Sequence, residues 1–229
     1  MKNYLVVGHS SGIGRSLSEE LGKNNRVYGT FNTHPIDTSN VNISSHPLDV
    51  LQEMDLSFLP EQLDGLAYCP GAINLKPFAR TTEDEFIRDY RLQVTGAIKV
   101  IQHCMPLLKK SPQSSILLFS SVAAKTGFNF HSLVSSSKGA IEGLIKALAA
   151  ELAPATRING IALSITDTPL AERLLNSPEK LESNKARHPL KAIGDPGDVA
   201  RLGAFLLSDH ARWITGQVIT ADGGISSIK

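Results

Sequence analysis

The 229-residue chain has little cysteine, few aromatic residues and almost no net charge. Its two cysteines, Cys69 and Cys104, are too few for a disulfide framework and lack metal-site spacing, so no metal ion is expected. A formal net charge of +1 without basic runs argues against nucleic-acid or anionic-membrane partners. No apolar run is long enough to span a bilayer, and the first ten residues resemble a strand rather than a cleavable signal. We therefore expect a cytoplasmic protein.

The chain contains no linker rich in proline, glycine or serine, which predicts a single domain over residues 1–229. Short apolar runs, typical of buried parallel strands, alternate with longer segments of helical periodicity. The predicted strands are Tyr4–Val7, Arg26–Phe31, Asp64–Cys69, Ser115–Ser120, Arg157–Leu163 and Gln217–Thr220. The predicted helices are Gly14–Leu21, Glu83–Leu108, Ser135–Leu152 and Pro196–Leu207. This alternation predicts an α/β fold with a doubly wound parallel sheet and helices on both faces.

One stretch does not fit the alternation. Only fifteen residues separate Asn32 from Leu48, and they include the pairs His34-Pro35 and His46-Pro47. A helix and a strand scarcely fit into this length, and two prolines among serines and asparagines are typical of a loop. We expect a loop here, with the helix lost or reduced to a turn.

A glycine-rich turn, Gly8-His-Ser-Ser-Gly12-Ile-Gly14, joins the first predicted strand to the first predicted helix. Glycines let the backbone turn tightly and approach a pyrophosphate, while the helix N-terminus offers unpaired N–H groups. Such a triplet can also be a purely structural turn. Its place between a strand and a helix favours a dinucleotide site.

Further motifs follow in the order and spacing of one known family. They are Leu48-Asp49-Val50, Cys69-Pro70-Gly71, Gln93-Val-Thr-Gly96, Ser120-Ser121, Lys138, Asp167-Thr168-Pro169 and Asp222-Gly-Gly224. With the glycine turn, they resemble the short-chain dehydrogenase/reductase family nearly from end to end. The resemblance implies a Rossmann-like domain in three α/β/α layers that binds NAD(P). The implied cofactor-binding residues are Gly8, Ser10, Ser11, Gly12, Ile13, Gly14, Asn32, Asp49, Val50, Gly71, Lys138 and Thr168.

The chain departs from this family at the position of its catalytic tyrosine. Val134-Ser-Ser-Ser-Lys138 has the frame of a Tyr-x-x-x-Lys motif, and Ser121 lies thirteen residues before Val134, as the family predicts. In the family, tyrosine transfers the proton, lysine lowers its pKa, serine orients the carbonyl and asparagine holds a water. The corresponding residues are Val134, Lys138, Ser121 and Gln93. Valine has no proton to give.

Two functional hypotheses follow from this departure. The first is an oxidoreductase that transfers hydride on a small carbonyl or alcohol substrate, with an atypical or impaired proton donor. The alternative is a catalytically inactive cofactor-binding scaffold or regulator. His131 and Tyr90 are candidate replacement donors, because His131 lies three residues before Val134 and Tyr90 about one helical turn before Gln93. Each also has an ordinary structural interpretation, as a partly solvated loop residue and as a packing aromatic.

Cofactor preference depends on the end of the second predicted strand. An aspartate there would bind the adenosine ribose hydroxyls and repel a 2′-phosphate, but Phe31 and Asn32 occupy the position. We therefore favour NADP(H) over NAD(H), with His9, Ser10, Asn32 and Thr33 as candidate phosphate partners. Asp37 could serve the ribose instead, although an aspartate in a loop is more often a turn residue.

The family resemblance also implies where substrate binds and how chains assemble. Residues Thr126–His131 and Leu170–Arg187 should flank the pocket, the second as a mobile lid broken by Pro178. Phe128, Phe130, Leu163 and Val134 would give an apolar floor, unless the two rings only pack beneath the lid. Apolar residues of two helices, Ile98, Ile101, Met105, Ile141, Leu144 and Leu148, predict a homotetramer or homodimer.

Overall fold

A computed structural model describes residues 1–228. Its centre is a seven-stranded sheet in the order β3-β2-β1-β4-β5-β6-β7, and every neighbouring pair is parallel. The strands are β1 (Asn3–Val7), β2 (Arg26–Phe31), β3 (Ile43–Pro47), β4 (Gly65–Tyr68), β5 (Ser114–Ser121), β6 (Thr156–Leu163) and β7 (Val218–Ala221). The order reverses between β1 and β4, which is where doubly wound sheets bind ligands.

Helices cover both faces of the sheet. They are α1 (Gly12–Gly22), α2 (Glu83–Tyr90), α3 (Gly96–Leu108), α4 (Ser132–Leu152), α5 (Glu172–Leu175), α6 (Pro178–Arg187) and α7 (Pro196–Leu207). One apolar core packs α3 and α4 against the sheet, and a second core packs α1 and α7 against its other face. The predicted three-layer α/β/α fold is confirmed.

The side chains of β1 show why Tyr4–Val7 are all apolar. Leu5 and Val7 belong to the core beneath α3 and α4, whereas Tyr4 and Val6 belong to the core beneath α1 and α7. Successive residues of a strand point to opposite faces, so a strand covered on both sides needs an apolar residue at every position.

The stretch before Leu48 only partly matches the prediction. It contains no helix, as expected, but Ile43–Pro47 is the strand β3 and not a loop. Val27 pairs with Ile43 and Phe31 with Pro47 at the edge of the sheet. Proline is tolerated at a sheet edge, where no further strand needs its missing N–H. Pairing with β2 therefore overrides the loop-like local sequence.

The predicted helices differ from the observed ones in their bounds and in one interruption. The helix predicted over Glu83–Leu108 contains a π-helical segment at Arg91–Thr95, between α2 and α3. The segment Leu170–Arg187 is interrupted after α5, and Pro178 begins α6, since proline is favoured in the first turn of a helix. Ser177 caps this helix by accepting a hydrogen bond from the Lys180 backbone N–H. Within residues 1–228, no helix is long and apolar enough to cross a membrane.

Candidate active site

Two adjoining hollows lie at the carboxyl ends of the parallel strands. The first, called the cleft, follows the glycine-rich turn and has an empty volume of about 1070 Å³. The second, called the cavity, lies beside Ser121 and Lys138 and has an empty volume of about 1230 Å³. Both are lined by Ile13, Cys69, Gly71, Thr168 and Leu170. The cleft and the cavity therefore form one continuous site.

The glycine-rich turn leaves no room for side chains where it bends. Gly8 and Gly12 have φ angles of 78° and 51°, in the left-handed region that favours glycine. A Cβ atom on Gly14 would overlap the carbonyl oxygen of Gly8, and one on Gly12 would lie 3.1 Å from Thr168 Cγ2. The first turn of α1 has no acidic residue, and the side chain of its N-cap Ser11 makes no capping hydrogen bond. Its backbone N–H groups are therefore available to an anion.

The structure brings the predicted cofactor-binding residues together. Gly71 and Thr168 line the cleft on the side of the cavity, and Asp49 and Val50 line it just after β3. Eleven of the twelve line the cleft, namely Gly8, Ser10, Ser11, Gly12, Ile13, Gly14, Asn32, Asp49, Val50, Gly71 and Thr168. Lys138, the twelfth, lines the adjoining cavity. This arrangement fits an extended molecule with a phosphate group at the start of α1.

Three residues considered for the adenosine end lie outside the cleft. His9 is fully buried beneath β2, where its Nε2 atom is 2.8 Å from Ser45 Oγ, so it cannot bind a phosphate. Thr33 and Asp37 are exposed and do not line the cleft. Among residues 1–228, Asp49 is the one acidic side chain that lines it.

The catalytic positions lie together around the cavity. Ser121 ends β5, and its Oγ accepts a hydrogen bond from the Ala123 backbone N–H at 3.2 Å, which holds the hydroxyl at the cavity wall. Val134 and Lys138 lie one turn apart on α4 and face the same cavity. Val134 is 6% exposed, so an apolar surface stands where the family has a phenol.

The π-helical segment sets the direction of Gln93. Tyr68 Oη donates a hydrogen bond to the Leu92 carbonyl oxygen at 2.6 Å. The Gly96 N–H donates to Arg91 O, five residues back, instead of to Leu92 O. A side chain that takes a carbonyl from the helical ladder is a recognised cause of such a wide turn. Gln93, inside this turn, is 1% exposed and lines the cavity.

Sequence reasoning missed Asp89, which lies behind Gln93 and does not line the cavity. Its carboxylate accepts hydrogen bonds from Gln93 Nε2 at 2.8 and 2.9 Å and from Ser137 Oγ at 2.6 Å. Asp89 is 3% exposed. An aspartate four residues before Gln93 on one helix is the signal that could have predicted this contact.

Lys138 places a cationic group on the cavity lining. Its Nζ donates a hydrogen bond to the Phe119 carbonyl oxygen at 2.9 Å. Burial, which disfavours the charged form, lowers the pKa of Lys138 to about 8, although nearby Asp89 and Cys69 oppose the change. Burial also raises the pKa of the Cys69 thiol to about 12, so this cysteine is uncharged near neutral pH.

Comparisons with known proteins identify the family of this chain. The family model described as enoyl-(acyl carrier protein) reductase matches residues 40–226. A tropinone reductase homolog of Arabidopsis thaliana is 32% identical over 97% of this chain and 78% of its own length. The chain belongs to the short-chain dehydrogenase/reductase family.

Solved structures of other proteins have the same fold. A short-chain dehydrogenase family protein from Francisella tularensis is 26% identical, with a TM-score of 0.90 and 99% of each chain covered. ElxO, solved with NADP bound, is 27% identical, with a TM-score of 0.89 over 99% of this chain and 100% of its own.

The two candidate replacements for the family's tyrosine have different positions. His131 lines the cavity at the start of α4, and its Nδ1 atom is 2.7 Å from the Asn129 carbonyl oxygen. Tyr90 is 42% exposed and lies outside the cavity lining, so this candidate is not positioned to donate a proton there. The π-helical segment changes the helical phase after Tyr90, and Asp89, not Tyr90, contacts Gln93.

The cavity wall away from Lys138 is largely apolar. Phe128, Leu163 and Val134 line it as expected, but Phe130 does not. Phe130 has a φ of 70° and is 56% exposed, because this left-handed turn directs its ring to solvent. Leu170 and Leu174 line the cavity from the segment before α6. The Arg187 guanidinium lies 5.7 Å from the centre of the Phe128 ring.

Proposed function

We propose that this short-chain dehydrogenase/reductase binds NADP(H) and transfers hydride between it and a small apolar or aromatic carbonyl or alcohol. The observation that carries the proposal is the continuity of the cleft with the cavity. A dinucleotide with its phosphates at the start of α1 would reach the cavity at Thr168 and Lys138. Hydride transfer is the chemistry that the nicotinamide supplies when it is bound.

The residues present fit this cofactor. The glycine-rich turn at Gly8, Gly12 and Gly14 has no side chains that would keep a pyrophosphate away from the backbone. The N-terminus of α1 faces the cleft. We assign the pyrophosphate to the first turn of α1, the adenine to Asp49 and Val50, and the nicotinamide ribose to Lys138. Thr168, whose Cγ2 lies 3.1 Å from the position of a Cβ on Gly12, would bind the nicotinamide carboxamide.

The preference for NADP(H) rests on the end of β2. Phe31 and Asn32 line the cleft there, and neither carries the negative charge that would repel a 2′-phosphate. ElxO, which has NADP bound, supports the same preference by similarity. Ser10 and Asn32 are the polar side chains that we assign to the phosphate.

The substrate end joins two polar groups to an apolar wall. Ser121 Oγ and Lys138 Nζ would bind a carbonyl oxygen, while Phe128, Leu163 and Val134, which line the same cavity, would contact the rest of the molecule. A hydrophobic or aromatic carbonyl compound fits this surface better than a sugar does.

The second candidate function is a cofactor-binding protein without turnover. Val134 favours it, because the tyrosine's share of general acid catalysis, about 10²–10⁴-fold, is missing from its usual position. Lys138 would bind the ribose in either case. The two candidates differ in turnover alone.

Fluorescence titration with NADPH and NADH, followed by a panel of carbonyl compounds, tests the proposal. We expect saturable binding with tighter NADPH, and slow reduction of apolar carbonyls. Val134→Tyr should raise turnover, whereas Val134→Phe, of similar bulk without the hydroxyl, should not. No saturable binding of either cofactor would refute the proposal, and binding without reduction by the parent or by Val134→Tyr would favour the scaffold.

A further inference from the structure

Asp89, Gln93 and Ser137 form a hydrogen-bonded cluster beside the cavity, and the proposed function leaves this cluster unused. Asp89 is buried and accepts hydrogen bonds from Gln93 and Ser137, while Gln93 and Lys138 face the cavity. An acidic side chain that is 3% exposed is rare unless it has such partners. Through Gln93, the buried carboxylate of Asp89 is connected to the cavity.

Asp89 fixes which way the amide of Gln93 faces. Both Asp89 oxygens accept from Gln93 Nε2, so Oε1 must point away from the carboxylate. The opposite orientation would place two acceptors against each other. Among residues 1–228, no group donates to Gln93 Oε1, although the atom is buried. It lies 3.7 Å from the position of a Cβ on Gly71, at the junction of cleft and cavity.

The ammonium of Lys138 lies at the same junction. Its Nζ is 4.0 Å from that Cβ position on Gly71. One N–H is used by the Phe119 carbonyl, which leaves two for other acceptors. With a valine at position 134, no phenol lies between this nitrogen and the cavity.

Few titratable groups face Lys138. The pKa of Lys138 responds to Asp89 from α2 and to Cys69 after β4, and burial keeps the Cys69 thiol neutral. The other titratable or charged groups that line the cavity are His131, Arg187 and His188. His188 is held through both ring nitrogens, by Ser164 and by the Asn184 carbonyl.

We propose that Lys138 itself is the proton donor in this chain, and that Asp89 is a positioning residue that orients Gln93 and stabilises the ammonium. This inference rests on the proposed hydride-transfer function. Gln93 Oε1 would accept a hydrogen bond from the ammonium or from a water beside it.

The proposed step balances as follows. Bound dihydronicotinamide would supply hydride, with its two electrons, to the carbonyl carbon and would become a pyridinium. The π pair of the C=O bond moves to oxygen, and the oxygen forms an O–H bond as one Nζ–H bond of Lys138 breaks. That N–H pair stays on nitrogen. The products are an alcohol and a neutral lysine, which a solvent proton recharges.

The first test titrates Lys138 without any cofactor. Acetic anhydride labels neutral amines, and peptide mass spectrometry would compare Lys138 with Lys146, an exposed lysine on α4. We expect a midpoint near pH 8 in the parent, the value that burial sets. Asp89→Asn removes a charge that favours the ammonium, so its midpoint should move to lower pH. Asp84→Asn, an exposed aspartate of α2, should leave it unchanged.

The second test follows a single turnover with NADPH already bound. The rate should fall as pH rises through the Lys138 midpoint, and at lower pH in Asp89→Asn. Lys138→Arg keeps the charge but does not release a proton near neutral pH, so it should lose about 10²–10⁴-fold in rate. Lys146→Arg is the matched control. If Asp89→Asn fails to fold by circular dichroism, Lys138→Arg and the parent pH profile decide.

The outcomes separate this inference from the proposed function. If NADPH does not bind the parent, the proposed function itself fails. With NADPH bound, absence of reduction of every carbonyl tried would overturn the role of Lys138. So would a Lys138→Arg variant as fast as the parent, or an Asp89→Asn midpoint equal to that of Asp84→Asn.

Discussion

The imidazole ring of His9 fills the space that a side chain on Gly29 would need. A Cβ atom on Gly29 would overlap the Cγ and Nδ1 atoms of His9. His9 is fully buried, and its Nε2 lies 2.8 Å from Ser45 Oγ on β3. The His9 side chain therefore extends across β2 to Ser45 on β3 and holds the glycine-rich turn against the sheet.

Gly29→Ala should destabilise the protein through this contact. Overpacking of a buried site costs about 1–3 kcal/mol, and we expect a loss in that range. In a His9→Ala background the same change should cost clearly less, because the overlapping ring is gone. Gly127→Ala is the control, since a Cβ there would meet nothing within 4 Å. Urea denaturation measures all four variants, and equal costs in both backgrounds would contradict the contact.

His9 should make stability depend on pH below neutrality. Burial above all, with the charges of His46 and Arg15, lowers the pKa of His9 from 6.5 to about 4. The unfolded chain then binds more protons between these values, so the free energy of unfolding falls as pH drops from 6.5 to 4. The His9 share approaches about 3 kcal/mol, at 1.36 kcal/mol per pKa unit. His9→Gln should remove this dependence and His210→Gln, at an exposed histidine, should keep it.

Local sequence predicted most of the fold but not contacts of this kind. The apolar runs of β1 and β5 and the glycine turn are local signals, and the structure confirms the sheet that they predict. The contact of His9 with Gly29 requires the register of β1 against β2, which no local pattern contains. Strand β3 was missed for a similar reason, since Ile43–Pro47 gains its strand geometry by pairing with β2.

Asn32→Asp should shift cofactor preference toward NADH. The residue is exposed at the end of β2 and lines the cleft, so the new carboxylate would repel a 2′-phosphate. We expect the NADPH-to-NADH affinity ratio to fall about tenfold, which corresponds to ~1.4 kcal/mol. Asn24→Asp adds the same charge at an exposed position outside the cleft and should change nothing. Fluorescence titration gives both affinities, and an unchanged ratio would count against a phosphate at Asn32.

The outer faces of α3 and α4 should associate two or more chains. Ile101 and Ile141 are buried against the sheet, so they are unavailable to a partner chain. The half-buried Ile98, Met105, Leu144 and Leu148 remain for contact with another chain. Light scattering at micromolar concentration should give the mass of a homotetramer or homodimer, and Leu148→Lys should lower it.

Leu190→Lys is the control for this association, because Leu190 is 76% exposed on a separate loop. It should leave the mass as in the parent. A parent of monomer mass would refute the predicted assembly.

The sequence predicted the motif residues of the candidate site but not the contacts behind them. The family resemblance, carried by motif spacing, selected Ser121, Val134 and Lys138, and the structure brings all three to one cavity. Asp89 was missed because it has no motif, and its importance depends on its burial against Gln93 and Ser137. The expectation for Tyr90 assumed regular α-helical phase, which the π-helical segment changes.

The π-helical segment Arg91–Thr95 makes the geometry of the site sensitive to the insertion or deletion of a residue within it. A wide turn holds an extra residue, and deleting one residue there would let the regular ladder re-form. Each residue of an α-helix turns the chain by about 100°, so the deletion would rotate Asp89 relative to Gln93. Tyr68 Oη would then compete with a backbone N–H for the Leu92 carbonyl oxygen, to which it now donates a hydrogen bond. In related sequences and in engineered variants, we expect this segment to tolerate some substitutions but no insertions or deletions.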